Sequence, residues 1–275
     1  MKTILVPIDF SKKSEYAVKL ASNIAKKSEC EIHLLHMVEL PTGIVDMGAG
    51  SNFSIPESMM YLRKVKERIV KLKEKFFGED SDVKHGIRFQ NPYEGITEYG
   101  AKIEADLIVM GSKGISDFEE ILIGSNTEKV VRTSKIPVIV VKREVDNFKM
   151  RNIVFASNFK DESKESFAKL VDFSNQFKSK IHLLKVNTID KFESSSASKE
   201  KIKDFLDEFK TAKSTINVYN DVSVVKGIMN FSKEINADLI ALSTHGRSGL
   251  SHLFNGSISK NLSKNVIRPL ITFKI

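Results

Sequence analysis

The chain has 275 residues, of which 41% are hydrophobic and 28% charged, with a net charge of +8 and one cysteine. That length lies where a single hydrophobic core gives way to two, and the lone Cys30 excludes an intramolecular disulfide and fits a reducing compartment. No run approaches the roughly 18 uncharged apolar residues of a membrane span, and the apolar run before Asp9 is too short for a secretory leader; the expected location is cytoplasmic, with no membrane partner.

The positive charge is uneven. Residues 1–144 hold 22 Lys+Arg against 21 Asp+Glu, and the rest hold 21 against 14. Such asymmetry can serve an anionic partner. The lysines of residues 199–213, however, are spread along an amphipathic stretch and not gathered with aromatics as a single-strand binder requires. They read as a solvated face, and no nucleic-acid partner is expected.

In chain order, residues 3–8 form the first predicted strand, apolar on both faces as a strand between helix layers must be. Ser11 is placed to cap a helix whose Ala17, Leu20, Ala21 and Ile24 share one face. Cys30 falls where this helix meets a second strand, 31–37, and reads as an inert small residue. His33 and His36 on that strand are three apart, so they point to opposite faces and cannot share a metal. Residues 59–77 predict a long basic helix, and Ile96, Tyr99 and Ile103 predict another after Pro92. Strand 107–110 runs directly into Gly111, Ser112, Lys113 and Gly114. Nine residues on come Gly124 and Ser125, then a predicted helix over 126–134 and a last strand over 138–141.

The whole pattern occurs twice. Residues 2–10 align with 151–159, and Ile32-His33-Leu34-Leu35 is identical to Ile181-His182-Leu183-Leu184 at the same offset of 149. Ala105-Asp106-Leu107-Ile108 recurs as Ala237-Asp238-Leu239-Ile240 at an offset of 132, so the first half carries a net insertion of 17, placed in residues 41–56. Two domains, 1–144 and 148–275, are therefore expected. Strands alternating with helices predict a parallel sheet with helices on both faces, and ligands in such sheets lie beyond the carboxyl ends of the strands.

The glycines stand at that edge. Without a Cβ they let backbone amides approach an anion closely, and a helix start beyond Gly124 and Ser125 adds free amides and a positive dipole end. There is neither a G-x-x-x-x-G-K-[ST] loop nor a G-x-G-x-x-G fingerprint. The pattern G-x2-G-x9-G-[ST] after Asp-Leu-Ile-Val, with the opening Val6-Pro7-Ile8-Asp9 and the closing Ile136-Pro137-Val138-Ile139-Val140-Val141, resembles the ATP-binding type of the universal stress protein family over nearly the whole chain. The resemblance implies two Rossmann-like α/β domains of the adenine nucleotide alpha-hydrolase kind. Each has a five-stranded parallel sheet, and the two pack like the subunits of a family dimer through strands 137–141 and 269–273. It implies an adenine nucleotide, ATP or another, with any Mg²⁺ riding on the phosphates. Asp9 would recognise adenine, Pro7 and Ile8 line the base, and Val38 give it backbone contacts. Met110 would pack near the nucleoside, and Gly111, Ser112, Lys113 and Gly114 would lie under ribose and phosphates. Gly124, Ser125 and Asn126 would hold the phosphates. Asp9 also has a structural reading, as a turn residue before the Ser11 helix.

The halves depart from the pattern in complementary ways. The second copy, a weaker site, reads Ser243, Thr244, His245, Gly246, Arg247 and then Gly256, Ser257, with Asn158 in place of Asp9 and Ala156 in place of Pro7. The first has Asp117, Glu119 and Glu120 between its glycines, close to where phosphates would sit, whereas the second has His245, Arg247 and His252. No cluster of His and Cys has metal-ligand spacing and no catalytic set is legible. The expected function is a nucleotide-binding stress-response regulator using the first half. A slow ATP hydrolase at the same site and a non-binding interaction scaffold are the alternatives, and a homodimer of the whole chain stays open.

Overall fold

The computed structural model describes residues 1–38, 55–112, 124–146, 148–209, 213–244 and 268–274, with backbone only for 55–58 and 244. In the first half the elements are β1 (Thr3–Ile8), α1 (Lys12–Ser28), β2 (Glu31–Val38), α2 (Ile55–Phe77), β3 (Lys84–Phe89), α3 (Pro92–Lys102), β4 (Leu107–Gly111), α4 (Ser125–Thr133) and β5 (Val138–Val141). The second half has β6 (Asn152–Ala156), a 3-10 turn (Asp161–Ser163), α5 (Lys164–Phe177) and β7 (Lys180–Asn187). A second 3-10 turn (Ile189–Lys191), α6 (Ser195–Asp207), β8 (Ser214–Asn220), α7 (Val224–Glu234), β9 (Leu239–Thr244) and β10 (Leu270–Lys274) follow.

All ten strands form one sheet in the order β3-β2-β1-β4-β5-β10-β9-β6-β7-β8. The sequence from either rim inward is the same, third-second-first-fourth-fifth, so the halves are related by a pseudo-twofold axis at the centre. Within each half every pairing is parallel; the seam between β5 and β10 alone is antiparallel, with Leu270 opposite Val140 and Thr272 opposite Val138. The expected pairing through the last strands is thus internal to the chain. Thr272 Oγ1 donates to the Val138 carbonyl at 3.3 Å and Lys274 Nζ to the Thr133 carbonyl at the end of α4 at 3.2 Å, fastening the seam.

Strand side chains alternate between two apolar layers, each spanning both halves. One layer packs Ile4, Val6, Leu34, Val109 and Ile139 under α1 and α2, and Phe155, Leu183 and Ile271 under α5 and α6. The other packs Leu5, Leu35, Ile108 and Val140 under α3 and α4, and Val154, Leu184 and Ile240 under α7. Burying each such side chain stabilises by about 1.5–3 kcal/mol.

The repeated sequence motifs have structural work to do. Asp106 Oδ2 accepts from the Lys2 and Thr3 amides at 2.6 and 3.0 Å, and Asp238 Oδ2 accepts from Arg151 and Asn152 at 2.8 and 3.0 Å. Each carboxylate ties the start of a fourth strand to the start of a first. Left-handed residues recur in pairs as well: Phe10 and Phe159 after the first strands, Glu29 and Lys178 after the first helices, Glu104 and Asn236 before the fourth strands. A non-glycine residue there costs roughly 1–2 kcal/mol, so the same strain is maintained twice. The insertion of the first half is not confined to residues 41–56. Helix α2 has 23 residues against 13 for α6, so much of it lengthens a helix.

Candidate functional site

The crevice of the first half lies where the strand order reverses, between β1 and β4, at their carboxyl ends. Asp9 directly follows β1. Its Oδ1 accepts the Ser11 amide at 2.9 Å, and Ser11 Oγ in turn accepts the Ser14 amide at 3.2 Å as the cap of α1. Asp9 is therefore a turn residue, and its other carboxylate oxygen has no partner among the described residues. The two readings of Asp9 are compatible, because one oxygen suffices for the turn.

Gly111 ends β4 against the first turn of α1. A Cβ added there would stand 2.7 Å from the Lys13 carbonyl carbon and 2.8 Å from its oxygen. Those are backbone atoms, which cannot rotate aside, so the glycine is required by close approach. The Thr127 hydroxyl donates to the Gly111 carbonyl at 2.9 Å, joining α4 to the end of β4. Ser112 is buried; its amide donates to Val141 at 2.9 Å and its carbonyl accepts the Gly124 amide at 2.5 Å. The expectation of a free amide at Gly124 is corrected by that bond. The α4 amides with no partner among the described residues are those of Ser125, Asn126 and Thr127, at its first three positions, since the first intrahelical bond runs from Glu128 to Gly124. They sit where the partial positive charge of the helix is greatest.

Met110 is buried in the α3/α4 layer, and Ile8 in the α1/α2 layer. Val38 ends β2, half-buried, in register with Phe89. Beside it stands a residue that the sequence reading left without a role. His36 is buried, its Nδ1 lies 2.8 Å from the Ile8 carbonyl, and its ring meets Phe10 at 4.7 Å. The guanidinium of Arg68, on α2, lies 4.2 Å over Phe10. Burial holds His36 below the ordinary histidine range against the opposing pull of its Ile8 bond and Asp9, with Arg68 adding to the depression. A neutral His36 donating from Nδ1 pins the peptide that precedes Asp9. His33 points to the other face, toward Tyr99 at 3.3 Å. Lys113 and Gly114, with Asp117, Glu119 and Glu120, lie outside the described residues.

At the second-half crevice the same positions are polar. Asn158 Oδ1 accepts the Lys160 amide at 3.3 Å, as Asp9 does for Ser11, and Pro7 is replaced by Ala156. Ser243 stands where the first half has Gly111, and its Oγ is buried without a partner. The facing segment starts not as α-helix but as the 3-10 turn Asp161–Ser163, with no side-chain cap. Lys185 replaces His36 and pairs with Glu193, while Asn187 replaces Val38 and donates from Nδ2 to the Glu193 carbonyl at 2.9 Å. His245, Gly246, Arg247, Gly256 and Ser257 lie outside the described residues. The signal for Lys185 and Asn187 was present: two polar residues at alternate places at the end of the strand, where the first half has His36 and Val38.

Among the described residues no three His, Cys, Asp or Glu side chains gather as a metal site, and no helix is long and apolar enough to cross a membrane.

Comparison with known proteins gives two matches to the model of the universal stress protein family, over residues 1–142 and 149–274. Universal stress protein MJ0531 of Methanocaldococcus jannaschii is 33% identical over 144 residues, covering 52% of this chain and 82% of its own length. Universal stress protein MJ0577 of the same organism is 32% identical over 159 residues, covering 52% of this chain and 96% of its own. Each relative thus spans about half of this chain. The crystal structure of a universal stress protein from Archaeoglobus fulgidus DSM 4304 matches the fold over 99% of this chain and 96% of its own, with a TM-score of 0.70 at 21% identity.

Proposed function

The chain belongs to the universal stress protein family as two tandem copies of its domain, and from that premise we propose that it is a cytoplasmic stress-response regulator whose first half binds an adenine nucleotide. The observation that carries this reading is the junction of β4, α1 and α4. Gly111 brings the end of β4 against the start of α1, Thr127 draws α4 onto it, and the Ser125 and Asn126 amides face outward from a helix start. Such amides bind phosphate without a basic side chain. On the other side of the crevice, Asp9 keeps one carboxylate oxygen for the adenine amine, on a peptide fixed by His36. Pro7, Ile8 and Val38 give the base an apolar bed, and Met110 closes it from below. Lys113 and Gly114 would complete the phosphate cradle, and Mg²⁺ would be held by the phosphates. The second half, with Asn158 and Ser243, is the poorer site for the same ligand.

Nucleotide released by denaturing the purified protein tests the reading directly. Retained ATP supports it, and ADP or AMP in its place points to hydrolysis at the same site. A preparation that carries no nucleotide and shows no heat with ATP in titration calorimetry overturns it in favour of an interaction scaffold.

A further inference from the structure

The sheet ends at β8, which pairs with β7 along one side. That ladder begins with the Ile181 amide on the Lys213 carbonyl and closes with the Asp221 amide on the Asn187 carbonyl, both at 3.0 Å. Alternate residues of a strand face each neighbour, so the odd-numbered residues of β8 bond to β7. Ile216 and Val218 turn their amides and carbonyls the other way, toward no strand among the described residues. Such an edge is a template for further pairing, and proteins guard it with charge, proline or a bulge. The opposite rim is guarded, since β3 carries Lys84, His85 and Arg88. In β8, seven residues from Ser214 to Asn220, there is no charge, proline or glycine, and the register with β7 is unbroken. Its charges stand at the two ends, as Lys213 and Asp221.

This arrangement is self-complementary. Two copies of β8 laid antiparallel about Asn217 set Lys213 opposite the partner's Asp221, and Asp221 opposite the partner's Lys213. The same register makes Ile216 and the partner's Val218 a hydrogen-bonded pair, the outward amide and carbonyl of each answering the other. Sliding one copy by one residue would oppose an outward residue to one that faces β7, and sliding it by two would part the charges. Side chains agree as well. Ile216 and Val218 pack against the α5/α6 layer and Tyr219 against the α7 layer. Ile216 beside the partner's Val218, and Thr215 beside the partner's Tyr219, would carry both layers across the junction. Pairs of these types, and opposite charges, are favourable cross-strand neighbours. The chain already joins its own halves in this manner, through the antiparallel seam of β5 and β10. β3 has no equivalent register, because its lysine and arginine share one sign.

We propose that β8 is the docking edge for a second copy of this chain, forming an antiparallel β8–β8 seam whose twofold axis passes by Asn217. The interface is isologous and uses up the rim that makes it, so assembly closes at two chains. It is independent of the nucleotide assigned to the first half.

Sedimentation of the full-length protein over a concentration series should reveal a species of twice 31.0 kDa. As it forms, hydrogen exchange should slow at the Ile216 and Val218 amides. Val218→Pro removes an amide that faces away from β7, so it should abolish the dimer and leave the folded chain intact by circular dichroism. Lys213→Glu and Asp221→Lys each set like charges opposite one another, and each should weaken self-association about tenfold. Mixed in equal amounts, these two variants regain both ion pairs and should form a heterodimer as tight as the parent. Asp221 also accepts the Asn230 side-chain amide at 2.8 Å, so Asp221→Lys is checked for folding; Lys213 is exposed, and its variant carries the test by itself if the other unfolds. The proposal is overturned if the protein stays monomeric at millimolar concentration, if its dimer is indifferent to Val218→Pro or Lys213→Glu, or if two folded charge variants fail to recover on mixing. Assemblies that grow past the dimer also overturn it, since they require β8 to pair with a strand other than itself.

Discussion

The two halves share a backbone plan down to its strained residues, yet they differ at the one edge where strands end. In the first half that edge is built from absences. Gly111 lacks a Cβ, Ala17 and Val38 lack polar atoms, and the proposed anion binding would fall to amides at the start of α4. Among the described residues the second half places side chains there, with Lys185 and Asn187 holding Glu193 and Ser243 Oγ buried without a partner. Duplication conserved what holds the sheet together, the two aspartates that tie strand starts and the paired left-handed residues. It released the carboxyl edge to diverge.

The sharpest way to break this comparison is to exchange the residues that differ. Gly111→Val forces a branched side chain onto the Lys13 backbone. It should destabilise the protein by about 2–3 kcal/mol and abolish nucleotide retention, as urea unfolding and nucleotide release will show. Its reciprocal, Ser243→Gly, should shift stability by less than about 1 kcal/mol. Equal losses in the two would mean that the two strand ends are packed alike.

Next in size is base recognition. Asp9→Ala should weaken ATP binding by about 1.5–3 kcal/mol, the range for a hydrogen bond to a charged group, while Asn158→Ala leaves the calorimetric isotherm unchanged. The opposite ranking would move the nucleotide to the second half. A smaller effect is expected at Glu193. Its removal by Glu193→Ala strands Lys185, whose side chain is 9% exposed. The loss should be about 1–2 kcal/mol, less than the 3–5 of a fully buried pair, because Glu193 is itself partly solvated. Chemical denaturation of the variant measures it.

The smallest effect is that of pH. Burial lowers the pKa of His36, and of His182 with help from Lys180. The folded protein favours the neutral rings, so as pH falls past the unfolded value of about 6.5 the unfolded chain takes up protons first. Stability is complete above that pH and declines below it toward the folded-state values. The urea midpoint should drop between pH 7 and pH 5, and His36→Gln should remove part of the slope. A slope unchanged by His36→Gln would show that His36 does not carry the effect.

Much of this was legible in the sequence. The duplication announced itself through segments such as Ile32–Leu35 and Ile181–Leu184, and buried central strands showed as unbroken apolar runs. The rim strands β3 and β8 did not. Lys84–Phe89 is exposed or half-exposed throughout, and no apolar run marks a strand that has one neighbour and a solvated margin. At the site, the glycines could be read but not the reason for Gly111, since its demand comes from Lys13, a hundred residues away and in contact only after folding. His36 was hidden by its company: a histidine within an apolar strand looks like core until its nitrogen is found on the Ile8 carbonyl.

The antiparallel seam between β5 and β10 has a geometric consequence. Strands in the two halves run in opposite directions, so the carboxyl edges open onto opposite rims of one continuous sheet. A partner seated over one crevice leaves the other facing away, free to fill or empty. News of occupancy passes between them through the middle of the molecule, where three residues of β5 pair with three of β10 and the apolar layers on both faces continue across the seam. The molecule is thus laid out as a two-sided plate, and the stiffness of its shared middle sets how far either face can sense the other.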